Sequence, residues 1–106
     1  MTELVLVLTT MPNDQRADEL ARTLVDEHLA ACVNVHGPMM STYRWKGGVE
    51  TDAERQLIVK TTRVRLPEVE ARVRALHPYE LPELVVVPAE GSGAYGRWVV
   101  EETRSG

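Results

Sequence analysis

Cysteine is nearly missing from this chain: Cys32 is the only one in 106 residues, so no intrachain disulfide can form and nothing points to secretion. Lysine is almost as scarce, with Lys46 and Lys60 set against ten arginines. The basic residues are scattered and the formal net charge is −4, which leaves no electrostatic footprint for nucleic acid. No basic amphipathic helix is evident that would favour an anionic membrane. Met1-Thr2-Glu3 carries no basic leader, and the apolar run Leu4–Leu8 is too short for a signal or transmembrane segment, so a cytoplasmic protein is expected. There is no repeat, linker or low-complexity segment. There is also no Ser/His/Asp set, and Gly91-Ser92-Gly93 is too short for a phosphate-cradling loop, so the chain reads as non-enzymatic.

What is present is an ordinary globular composition, 43% hydrophobic and 26% charged, in a length suited to one domain spanning residues 1–106. Leu4-Val5-Leu6-Val7-Leu8 reads as a strand buried on both faces or a central one. Pro12 ends it, and Asn13 or Asp14 can cap a helix in which Ala17, Leu20, Ala21, Leu24, Val25 and His28 recur at helical spacing. Cys32–Val35 reads as a second strand, interrupted at Gly37-Pro38 and resumed over Ser41–Trp45. Lys46-Gly47-Gly48 is a turn, and the return arm of the hairpin runs from Val49 to Thr61. A second helix follows, with Pro67 in its first turn and Leu66, Val69, Val73 and Leu76 on one face. A strand at Leu84–Val87 and a short C-terminal helix presenting Tyr95, Trp98 and Val99 complete the chain.

The order β-α-β-β-α-β predicts an α+β ferredoxin-like sandwich, with helices on one face of an antiparallel sheet and a short C-terminal helix. In that topology the first and third strands are central. The second and fourth are edges, yet Leu84–Val87 is as apolar as a central strand and the second strand carries little charge. Apolar edges invite pairing with another chain, so a homo-oligomer is expected.

Chemistry concentrates in His77-Pro78-Tyr79-Glu80-Leu81-Pro82-Glu83. Two prolines four residues apart hold the backbone stiff and extended beneath an imidazole, a phenol and two carboxylates. Such a segment can be a pre-organised site, or it can simply end a helix and launch a strand. Elsewhere Tyr43 and Trp45 share one side of a strand, as packing or as the wall of a pocket. Glu54 and Lys60 lie on one face of another strand, too far apart to pair locally, and Lys60 either snorkels or places a cation beside a cleft. Cys32 reads as a small core residue, His28 as helix packing and His36 as a turn residue.

Five pieces at matching order and spacing resemble the CutA divalent-cation tolerance proteins: Leu29-Ala30-Ala31-Cys32-Val33-Asn34-Val35, Ser41-x-Tyr43-x-Trp45-x-Gly47, Glu54-x-x-Leu57-x-x-Lys60-Thr61, His77-Pro78-Tyr79-Glu80-x-Pro82-Glu83 and Tyr95-x-x-Trp98. The resemblance implies a ferredoxin-like protomer in a homotrimer, joined at its sheet edges, with a role linked to copper and other divalent cations. It implies weak binding of copper or another divalent cation with His77 as the metal ligand, helped by Glu80 or Glu83. Thr9 stands where the best-known bacterial relatives carry a cysteine, and Leu76 where they carry the first of two adjacent histidines, so His77 alone of that set is kept. In a trimer, Tyr43, Trp45, Glu54, Lys60, Tyr79, Glu80 and Glu83 are expected to converge with His77 on an intersubunit cleft able to hold a small ligand. The alternative reading is a scaffold or signalling trimer resembling the PII proteins, binding a small anion or a partner protein in that cleft.

Overall fold

A computed structural model describes residues 3–104. Strand β1 (Leu4–Pro12) is followed by helix α1 (Gln15–Asp26), then by a long hairpin of β2 (Cys32–Trp45) and β3 (Gly48–Thr62). One 3-10 turn at Arg63–Arg65 leads into α2 (Leu66–Leu76), and β4 (Val85–Ala89) and α3 (Gly93–Glu102) close the chain. The sheet is antiparallel in the order β2-β3-β1-β4, the ferredoxin-like arrangement with β1 and β3 central.

Local chemistry accounts for the element ends. Asp14 caps α1, its carboxylate accepting the Arg16 N–H at 2.9 Å. The helix stops at Asp26, and His28 follows in the left-handed region at φ 59°. His28 therefore leaves the apolar stripe expected of it. It is exposed, and its Nδ1 lies 3.0 Å from the Glu102 carbonyl of α3. Pro67 enters α2 in its first turn, where no backbone N–H is needed. The expected interruption at Gly37-Pro38 is a register shift inside one continuous strand, between His36 and Met39. His36 is thus a strand residue opposite Gln56, not a turn residue. Only glycine fits at position 37: φ is +127°, and a Cβ there would stand 3.1 Å from the Glu54 carbonyl oxygen. The fourth strand runs slightly later than expected, taking in Pro88 and Ala89, which an edge strand tolerates.

The core lies between the sheet and helices α1 and α2. Val5, Val7 and Met11 of β1 and Leu57 and Val59 of β3 meet Ala17, Leu20 and Leu24 of α1 and Val69 and Val73 of α2. Each of these Val, Leu and Met side chains contributes roughly 1.5–3 kcal/mol on burial, and Ala17 less. The opposite sheet face differs. Leu6, Leu8 and Ile58 are only half-buried there, and Val85 and Val87 are exposed, so of the two alternatives β1 is the central strand, fully buried on one face only. Helix α3 covers one end of this second face through Val99, which packs with Leu4, Ala31 and Ala89. Cys32, opposite Lys60, shares the open face and is half-buried rather than a core residue.

Candidate functional site

The Pro-rich segment begins where α2 ends. His77 still gives its backbone N–H to the Val73 carbonyl at 2.9 Å, but Pro78 holds it in extended geometry, φ −79° and ψ 133°, so the helix cannot continue. That break turns the imidazole back toward the sheet. Strand β4 pairs with β1 only from Leu4 to Leu8, and the segment 77–84 occupies the margin beyond it. His77 Nε2 donates to the Thr10 carbonyl at 2.7 Å, and its Nδ1 accepts the Tyr79 N–H at 3.2 Å. These two bonds select the Nε2–H tautomer of a neutral ring. Burial pushes the His77 pKa down; the Thr10 carbonyl and the Glu54 carboxylate partly oppose the shift.

Tyr79 completes the cluster. Its ring lies 4.7 Å from the imidazole, and its hydroxyl donates to Glu54 Oε2 at 2.7 Å. Glu54 is buried on β3, 7% exposed, opposite Pro12 and Met39. Burial, then the Glu54 carboxylate, raises the phenol pKa well above the ordinary tyrosine value. Glu83 joins from the other side through Gln56, whose Nε2 donates to the Thr9 carbonyl at 2.7 Å and to Glu83 Oε2 at 3.2 Å. The segment is thus fastened to the central strands at three points, by His77, Tyr79 and Glu83.

The remaining candidates divide. Glu80 points away to Lys46 at the hairpin tip, an exposed pair at 3.6 Å worth little in water. Lys46 also lies 5.6 Å over the Trp45 ring. Tyr43 is exposed and donates to Asp52 across the hairpin, which raises its pKa to about 12. Lys60 stands apart: six residues beyond Glu54 on β3, it is about 20 Å along the strand and faces a different cavity beside α3. Gln56, Asp52 and Thr10 were not anticipated. Gln56 carries a readable signal, being two residues from Glu54 and so on the same strand face. The Thr10 acceptor is a backbone carbonyl, which the sequence does not distinguish.

These residues do not make a preformed metal centre. Both His77 ring nitrogens are engaged, Thr9 is fully buried with its hydroxyl on the helix side, and no three His, Cys, Asp or Glu side chains gather to hold an ion among the described residues.

Fold and cluster together define an α+β ferredoxin-like protein whose Pro-rich segment is locked onto the end of its central strands. The family model described as CutA1 divalent ion tolerance protein matches residues 5–102. The divalent-cation tolerance protein CutA of Thermus thermophilus is 48% identical over 99 residues, covering 92% of this chain and 96% of the relative. Human protein CutA is 41% identical over 97 residues, covering 91% of this chain and 54% of its own length, so this chain spans about half of that relative. Among solved structures, CutA from Xylella fastidiosa superposes with a TM-score of 0.92 at 40% identity, covering 95% of this chain and 98% of that one. CutA1 from Oryza sativa gives 0.93 at 37% identity, covering 99% and 97%. The chain belongs to the CutA1 divalent ion tolerance family.

Proposed function

We propose that this member of the family acts in tolerance of divalent cations as a cytoplasmic homotrimer, without catalysing a reaction. The observation that carries the assembly is the second sheet face: Leu6, Leu8 and Ile58 are half-buried and Val85 and Val87 are exposed, beside the free edges of β2 and β4. Apolar surface of this kind, bordered by unpaired strand edges, favours association with identical chains. Copper or another divalent cation is held weakly in this reading. An ion taking His77 must first displace the Thr10 carbonyl or the Tyr79 N–H from the ring, and the nearby carboxylates are already engaged by Tyr79 and Gln56.

Sedimentation equilibrium tests the assembly, which should give three times the 11.9 kDa protomer mass. Leu8→Lys, placing a charge on the open face, should lower that mass; a wild-type monomer would reject the trimer. For the cation, calorimetric titration with Cu(II) should show weak uptake that His77→Ala reduces. Unchanged stoichiometry and affinity in that variant would remove His77 from the ligand set.

A further inference from the structure

Arg65 ends the 3-10 turn that joins β3 to α2, and it is 8% exposed, a depth at which a guanidinium needs its donors met. They are only partly met. Nη1 donates to Glu68 Oε1 at 2.7 Å, one helical turn on, while the buried Nε–H has no acceptor and Nη2 makes no bond among the described residues. Nε and Nη2 form one edge of the planar fork, the edge that takes a carboxylate through two parallel bonds. An unmade bond at a buried donor is costly, so an acceptor here is strongly favoured. Arg65 lines an open cavity of about 370 Å³, with Leu29 and Ala71 as apolar lining and Glu27, Glu68 and Arg72 around them. Leu29 belongs to the core between sheet and helices, so the cavity lies on the helix layer, across the sheet from the face proposed above for association.

The carboxylates decide what kind of ligand fits. Both Glu27 oxygens are taken by Arg72, at 2.9, 3.2 and 2.7 Å, which closes that side as an internal pair. Glu68 Oε2 has no partner among the described residues, and its side chain reaches solvent. A free donor edge and a free acceptor oxygen thus stand side by side, joined by the Nη1–Oε1 bond. A bare anion on Arg65 meets the Glu68 charge, whereas an ammonium beside the ligand's carboxylate turns that repulsion into a bond. We propose that this cavity binds a small zwitterion of the α-amino-acid type. Its carboxylate takes the Nε/Nη2 edge of Arg65, its ammonium takes Glu68 Oε2, and a short apolar side chain lies against Leu29 and Ala71. The site uses neither the cation chemistry nor the trimer proposed above.

Calorimetric titration with L-valine tests it, beside isovalerate, which lacks the ammonium, and isobutylamine, which lacks the carboxylate. The wild type should bind L-valine saturably and at least about tenfold more tightly than either analogue, the difference expected for one charge-assisted contact. Arg65→Lys keeps the charge but not the fork, and should weaken L-valine by a similar factor. Glu68→Gln, at an exposed position, should weaken L-valine yet tighten isovalerate, because the repelling charge is gone. A loosened fold would weaken both, so the crossed response separates a direct contact from lost stability. Three results would overturn the proposal: no saturable binding of L-valine, either analogue binding as tightly as L-valine, or both affinities unchanged in Glu68→Gln. The first of these would leave the Arg65 Nε–H to an ordered water.

Discussion

The Tyr79 hydroxyl donates to Glu54 Oε2 at 2.7 Å, joining the Pro-rich segment to β3 across 25 positions of sequence. Glu54 is 7% exposed, and no cation lies within salt-bridge distance of it among the described residues, so this phenol is its one side-chain donor. Tyr79→Phe leaves a buried carboxylate without that partner. It should cost about 1.5–3 kcal/mol, the range for a hydrogen bond to a charged group. Urea unfolding at fixed protomer concentration measures the loss. In the double variant with Glu54→Gln the two effects should fall short of their sum, because both remove the same bond.

Acidification should destabilise the protein through His77. Burial lowers its folded-state pKa below the ordinary 6.5, so in the unfolded chain it protonates first as pH falls. The unfolded state then binds more protons, and stability increases with pH across that window. The contribution is complete above pH 6.5 and is lost as pH falls from 6.5 toward the lowered value. His77→Gln should flatten this slope in denaturation curves taken between pH 7.5 and about 5. A slope unchanged by the substitution would place the titration elsewhere.

Gly37→Ala should destabilise by roughly 1–3 kcal/mol, since a side chain at this positive φ is strained and its Cβ would press on the β3 backbone. The clash falls on the Glu54 carbonyl and the Arg55 Cα, at 3.1 and 3.2 Å. The damage should therefore reach the Tyr79 contact. Amide exchange at Tyr79, whose N–H is held by His77, should quicken beyond what a general loss of stability explains.

Leu57→Ala tests the core directly. Leu57 is fully buried between β3 and the helices, and its truncation should cost about 2–5 kcal/mol in thermal or urea unfolding. The same change at Ile58, its half-buried neighbour on the open face, should cost the isolated protomer much less. If copies associate through that face, Ile58→Ala should act chiefly on the concentration dependence of the melting temperature.

Much of the fold was present in periodicity and punctuation. The order of elements, the central places of β1 and β3, the Asp14 cap and the first-turn Pro67 follow from rules that act within a few residues. The stiffness of His77–Glu83 belongs to the same class, because proline restricts its own φ and its predecessor whatever surrounds them. Contacts between distant segments did not follow. Glu54 and Tyr79 were candidates, but their bond depends on how far β4 extends along β1 and on the register shift at Gly37, neither of which residue types encode. Lys60 shares a strand face with Glu54, too far along it to pair locally, and is expected beside the cluster only where protomers meet. Parity fixes the face and not the distance, and the tertiary structure sends Lys60 to the α3 end of the sheet. The half-burial of Cys32 and Leu6 was decided the same way. An apolar run announces that a strand will be covered, and only packing decides whether its own helices or another chain covers it.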